Sequence, residues 1–284
     1  MAAVEGIEEL VGRRFDFVYR YHDVDGTIPD EGEQALVDRG TYLHLAIAAR
    51  DFGSGDVPYA DIADGSHDDT LRKQAQGVAA LKVPTFVTFE QEANQKDKVG
   101  QRGTAEEFVA AWRHLHELYE KAGATNAIWV WVMTGNEQNL SRTAQLWPGN
   151  DVVDWISWNI YNQSGCRNSK LDVSKYVPFE EGLRVFYDWV TSAGLAAGID
   201  AFKPMMISET GSAQYPDDPE KSAQWYADIP DALEKYPSVK AVGLWASGGG
   251  GPNGCDYRFQ HNPVITEGVE KAGQELRLDA GATR

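Results

Sequence analysis

The chain has 284 residues, 42% of them hydrophobic and 11% aromatic, with a formal net charge of −17. That length suits one (β/α) barrel or two ordinary domains. The charge excludes the basic footprint that nucleic acid needs and disfavours an anionic membrane surface. No apolar run of about 18 residues is present to cross a bilayer. Nine Trp and twelve Tyr supply planar rings suited to stacking on sugars, although a large barrel buries many aromatics anyway. The first residues, Met1-Ala2-Ala3-Val4-Glu5-Gly6, are short and acidic and do not read as a secretory leader.

Residues 6–12 read as a short helix with no strand before it. Residues 14–21 alternate like a strand that ends at His22-Asp23, and 30–39 are helical. Residues 41–48 form the next strand, with His44 inside it as a core residue, and 69–81 the next helix. The run Val83-Pro84-Thr85-Phe86-Val87-Thr88-Phe89-Glu90-Gln91-Glu92-Ala93-Asn94 is a strand that ends in carboxylates and amides. Thr104 with Glu107 three residues on is a capping box. Phe108, Trp112, Leu115 and Tyr119 keep a helical stripe behind it, and Gly123 stops the helix. His114 and His116, two apart, fall on different faces of that helix and make no metal pair.

Residues 126–134 are a buried strand. The strand within 151–161 ends in Asn159 and Tyr161, with Trp158 beside them. A helix over 179–197, a strand over 203–209, a helix over 219–236, a strand over 239–245 and a helix over 264–275 complete the pattern. This alternation means parallel strands with helical crossovers, and polar groups cluster after most strands. The expected fold is therefore α/β, a TIM-type (β/α)8 barrel. Seven strands are legible, so the first strand is missing or supplied unconventionally. No strand is followed by a dinucleotide-type glycine fingerprint, and Gly248-Gly249-Gly250-Gly251 reads as a loop. Cys166 and Cys255, each in a loop with Gly and Asn, make one disulfide or two free thiols; two cysteines do not make a zinc site.

Glu92 and Glu209 stand out because each ends an apolar strand, and in a parallel barrel those ends open on one face. Two such carboxylates can cleave a glycosidic bond, one as acid and one as nucleophile. Glu90, two residues before Glu92 and so on the same side of a strand, competes for the acid role. Glu137 is either a substrate contact or solvated surface, and Asp16 and Asp154 serve structure.

Several stretches resemble glycoside hydrolase family 26. Residues 61–69 are similar to the lead-in to its acid strand. Glu92-Ala93-Asn94 matches its acid/base Glu-x-Asn. Trp147-Pro148-Gly149-Asn150-Asp151-Val152-Val153-Asp154-Trp155-Ile156 resembles the segment leading to its supporting tyrosine, here Tyr161. Ser208-Glu209-Thr210-Gly211-Ser212 resembles its nucleophile motif. Gln91 stands where the family has His, an Arg on the same strand is absent, and residues 95–98 replace an aromatic run. These departures imply altered sugar subsites.

The resemblance implies a retaining endo-acting glycoside hydrolase spanning 1–284 as a single catalytic domain. Glu92 would be the acid/base and Glu209 the nucleophile. Tyr161 would hydrogen-bond Glu209, Asn159 would contact the sugar, and Trp245 would be the platform under it. Gln91, Asn94, His22, Tyr21 and Trp158 are further subsite candidates. A Cys166–Cys255 disulfide is implied by paired cysteines in secreted relatives. No cofactor and no metal is required. The expected partner is a polysaccharide, a β-mannan-like polymer or a bacterial cell-wall glycan, with mixed-linkage glucan and xylan as alternatives. An extracellular or virion-associated setting, in a larger polypeptide or a phage tail, fits an excised domain. The contrasting expectation is a non-catalytic carbohydrate-binding barrel on a phage tail or cell surface.

Overall fold

The computed structural model describes residues 2–95, 98, 101–166, 171–248 and 254–276. In chain order the elements are α1 (Ala2–Leu10), β1 (Phe17–His22), α2 (Glu31–Asp38), β2 (Tyr42–Ile47), a two-stranded hairpin β3 (Arg50–Asp51) and β4 (Gly55–Asp56), α3 (Tyr59–Ala63), α4 (Asp68–Leu81) and β5 (Thr85–Phe89). There follow α5 (Ala105–Lys121), β6 (Ala127–Thr134), α6 (Glu137–Thr143), β7 (Trp155–Asn162), α7 (Phe179–Trp189), β8 (Met205–Ser212), α8 (Pro219–Ala227), α9 (Ile229–Lys235), β9 (Val239–Leu244) and α10 (Pro263–Glu275). The seven long strands form one sheet in the order β1-β2-β5-β6-β7-β8-β9. Neighbours from β1 to β7 pair in parallel. This is the strand–helix succession of a TIM-type fold, with the seven long strands that the sequence predicts. Among the described residues no helix is long and apolar enough to cross a membrane.

The chain divides into two compact units. One comprises Asp16–Asn159 with Val185–Ser208. Its strands alternate as the pleat requires. On the helix-covered side Phe89 stacks on Phe108, Trp129 packs on Trp112, and Trp158 stacks on Phe186 at 5.0 Å and 16°. The opposite side carries Tyr19, His44, Phe86 and Trp155 in ring contact, and above them the hydroxyls of Thr88, Ser157 and Ser208. His44 Nε2 lies 2.7 Å from Thr88 Oγ1, Thr88 donates to the Val130 carbonyl, and the Ser157 and Ser208 hydroxyls meet at 2.5 Å. Asp154 is structural: its carboxylate accepts the Trp129 N–H at 2.7 Å.

The other unit comprises Met1–Phe15, Ile160–Arg184 and Glu209–Arg284. Its core is set by α8, α10 and the rings of Trp225, Tyr226 and Phe259. The Cys166–Cys255 disulfide is present, with Cα atoms 5.0 Å apart.

Local chemistry explains most boundaries. Thr104 and Glu107 form the expected capping box of α5, and Asp30 with Glu33 forms a second one on α2. Two expected helices break. The 219–236 helix divides at Asp228, because Pro230 lacks an N–H and is tolerated only in a first turn. The 179–197 helix passes into a π-turn over Val190–Gly194. There Thr191 and Ser192 hydroxyls bond back to the carbonyls of Tyr187 and Asp188 and compete with the ladder. The stretch between β2 and α4 carries the β3–β4 hairpin and α3. Residues 249–251 of the glycine run lie outside the described residues.

Candidate active site

Each of the two expected carboxylates sits in its own constellation, one in each unit. The first follows β5. The strand stops at Phe89, and Glu90 and Glu92 both turn left-handed, with φ of +48° and +58°. A non-glycine residue held there costs roughly 1–3 kcal/mol and persists only where its surroundings impose it. The strand period therefore does not continue, and Glu90 does not accompany Glu92. Glu90 is fully buried. Its Oε2 accepts the Ala49 N–H at 2.6 Å, and its Oε1 pairs with Lys98 Nζ at 2.9 Å and with Arg102. Arg102 also reaches Asp56 at 2.8 Å. Burial works against the Arg102 charge, but Glu90 and Asp56 beside it hold its pKa above the usual value. The buried acid is thus neutralised by two cations, as a buried charge must be.

Glu92 is half-buried, and its N–H donates to the Val132 carbonyl at 2.8 Å. Its Oε1 accepts from Asn159 Nδ2 at 3.2 Å, and its Oε2 accepts from Gln95 Nε2. One amide on each oxygen aims the carboxylate. Asn159 itself is 2% exposed, so it holds the acid rather than lining an open surface. Gln91 is half-buried with its Oε1 unpartnered. Lys98 donates to the Gln91 carbonyl.

Three further expected subsite residues are buried. Asn94 is fully buried: its amide donates to Thr134 O and Thr143 Oγ1 and accepts the Thr134 N–H, which pins the turn after Glu92. Trp158 lies between Asn159 and Tyr161 on its strand and so points to the opposite, helix-covered side, where it has no exposed surface. His22 is buried with Nε2 2.7 Å from Glu33 Oε1, tying β1 to α2. Tyr21 is half-buried with its ring 4.6 Å from that of Tyr19. Glu137 is exposed in the first turn of α6.

The second constellation is built on the ends of β7 and β8. Tyr161 Oη donates to Glu209 Oε2 at 2.7 Å. The Tyr161 ring lies 4.9 Å from Tyr257, and both pack with Trp245 and Leu171 on the Cys166–Cys255 disulfide and Ala213. Trp245 is half-buried, and its N–H donates to the Thr210 carbonyl at 2.7 Å. A Cβ on Gly211 would stand 3.1 Å from the Tyr257 ring, so the glycine lets that ring lie against β8.

Sequence reasoning missed Gln95, Arg102, Asp56 and Tyr257. Gln95 follows Glu92 by three residues, a turn spacing that was legible. Arg102 and Asp56 are joined to Glu90 only through space. Among the described residues no group of three or more His, Cys, Asp or Glu side chains is arranged to hold a metal ion.

No family model matches the sequence. Endoglucanase H of Acetivibrio thermocellus is 22% identical over 253 residues, which are 86% of this chain and 26% of that protein. The chain therefore spans about a quarter of the length of that curated relative. A GH26 beta-mannanase of Bacteroides ovatus superposes with a TM-score of 0.57 at 15% identity, covering 100% of this chain and 95% of that one. A beta-mannanase from a symbiotic protist of the termite Reticulitermes speratus, complexed with gluco-manno-oligosaccharide, superposes with a TM-score of 0.59 at 15% identity, covering 94% and 81%. The strand order, the helical crossovers and these superpositions together give the chain the barrel fold of the family 26 glycoside hydrolases.

Proposed function

We propose that the protein is a retaining endo-acting glycoside hydrolase whose 284 residues form a single catalytic domain. Glu209 attacks the anomeric carbon, while Glu92 protonates the departing glycosidic oxygen. Glu92 then activates water to release the covalent glycosyl intermediate. The observation that carries the reading is the bond from the Tyr161 phenol to Glu209 Oε2. It fixes one carboxylate oxygen and so orients the carboxylate for attack. The Asn159 and Gln95 amides on Glu92 support the second role, because an acid must be aimed to deliver its proton. Trp245, steadied against the disulfide cluster, is the platform under the reacting sugar, and Gln91 and Tyr21 are further sugar contacts in this reading.

The substrate class we assign is a β-mannan-like or β-glucan polysaccharide. The relatives named as an endoglucanase and as mannanases, one of them holding a gluco-manno-oligosaccharide, support this over a bacterial wall glycan. A disulfide supports an extracellular, oxidising setting.

The test is a panel of mannans, glucans, xylans and bacterial wall glycans, with product sizing and the anomer of the first product read by NMR. Wild type should release oligosaccharides with retained configuration. Glu92→Gln and Glu209→Gln should each abolish turnover with the melting temperature preserved. Full activity in either variant sinks the assignment. An inverted anomer would mean carboxyl groups about 6.5–9.5 Å apart rather than about 5–5.5 Å. Binding without turnover in wild type would establish the non-catalytic barrel instead.

A further inference from the structure

Two phenylalanines stand out in water: Phe202 at 90% exposure and Phe52 at 61%. They differ in place. Phe202 precedes β8, at the N-terminal end of a strand, where barrel residues serve stability. Phe52 is in the turn of the β3–β4 hairpin, which follows β2 at its C-terminal end. There Ile47 pairs with Phe89, and the Glu90 N–H donates to the Ile47 carbonyl at 2.8 Å. The hairpin thus rises one strand away from the loop that carries Glu92.

The hairpin is tied down on all sides. The Val24 N–H donates to Arg50 O at 3.1 Å, and the Val57 N–H to Ala49 O at 3.0 Å. The Phe52 N–H donates to Oδ2 of buried Asp23 at 2.8 Å. Asp51 accepts the Gly53 N–H and the Ser54 hydroxyl inside the turn. Asp56 pairs with Arg102, which pairs with Glu90, which in turn accepts the Ala49 N–H. The Arg50 guanidinium carbon lies 5.4 Å from the Phe52 ring centre. A loop tied this firmly holds its ring in water, although burying a phenyl side chain is favourable.

We propose that Phe52 is a stacking platform for a sugar ring of the polysaccharide distant from the bond cleaved, presented by the Glu90–Arg102–Asp56 chain. This rests on the glycoside hydrolase reading. An aromatic face accepts the C–H face of a pyranose without needing a particular hydroxyl pattern. The platform gains energy only when a sugar chain is long enough to span from the cleaved bond to the hairpin.

The test uses Phe52→Ala, Phe52→Trp and, as control, Phe202→Ala, all checked for an unchanged melting temperature. KM is measured on the best polysaccharide of the panel and on a short chromogenic oligosaccharide of the same sugar. Affinity gel electrophoresis in that polysaccharide gives Kd independently of turnover. Phe52→Ala should raise polysaccharide Kd and KM about four- to twelve-fold, the loss of roughly half a buried phenyl side chain. The rise on the short substrate should be smaller, Phe52→Trp should restore binding, and Phe202→Ala should leave Kd where it was. Equal values for wild type and Phe52→Ala, or an equal loss on both substrates, would overturn the platform while leaving the hydrolase reading standing. A wild type that binds the polysaccharide without cleaving it would overturn the hydrolase reading but leave the Kd comparison decisive for Phe52. A wild type that neither binds nor cleaves any member of the panel would overturn both.

Discussion

Replacing Tyr161 with Phe removes one oxygen from the second constellation and little else. The ring contact with Tyr257 at 4.9 Å and the packing on the disulfide survive, because both are made by carbon atoms. What is lost is the 2.7 Å bond to Glu209 Oε2. A hydrogen bond to a charged group contributes about 1.5–3 kcal/mol. At 1.36 kcal/mol per factor of ten, its loss from the transition state lowers kcat/KM by about 12- to 160-fold. The effect should appear mainly in kcat, since the phenol positions the nucleophile and leaves the flanking sugars alone. Steady-state kinetics on the preferred polysaccharide, beside a thermal melt, measure it. A kcat/KM within twofold of wild type at unchanged melting temperature would refute the assignment of Glu209 as a nucleophile steadied by Tyr161. Lost stability with activity preserved would make Tyr161 a packing residue.

Cys166→Ser, or reduction of the disulfide, opens a link between residues 89 apart in sequence and should lower unfolding free energy by about 2–5 kcal/mol. A urea midpoint indifferent to reductant would contradict this. Burial holds His44 neutral, with its pKa brought down from 6.5 to about 3. Between those values the unfolded chain takes up a proton that the folded chain refuses. The stability contributed by neutral His44 is complete above pH 6.5 and is lost as pH falls towards 3, by up to about 4–5 kcal/mol. His44→Gln should flatten that acid slope in unfolding measurements, and an unaltered slope would assign it to other groups. A Cβ on Gly77 of α4 would lie 1.8 Å from the Ile28 carbonyl oxygen, so Gly77→Ala should destabilise by about 1–3 kcal/mol. Gly6→Ala in α1, with nothing within 4 Å, should be neutral or stabilise by up to about 1 kcal/mol. Equal melting temperatures for the two variants would contradict the packing argument.

The strand–helix alternation was legible because its signals are local: the apolar run of β5, the capping box at Thr104, and the acids and amides at strand ends. Period two also contained an unused answer. With Asn159 and Tyr161 on one side of β7, Trp158 had to point to the other, and its burial on Phe186 follows. The Tyr161–Glu209 contact came from motif order, not from periodicity, because nothing local connects residues 48 apart.

The sequence by itself determined the fold class, the seven long strands and the two carboxylates worth testing, since each depends on hydrophobic period and strand position. Only the tertiary structure decided what each polar group does. Glu90 and Glu92 are two residues apart and chemically identical, yet one is a buried anchor between Lys98 and Arg102 and the other is held in view by Asn159 and Gln95. The left-handed backbone at both positions separates them, and no glycine announces it. A buried charge must find its countercharge through space, and that search is settled by packing rather than by spacing along the chain.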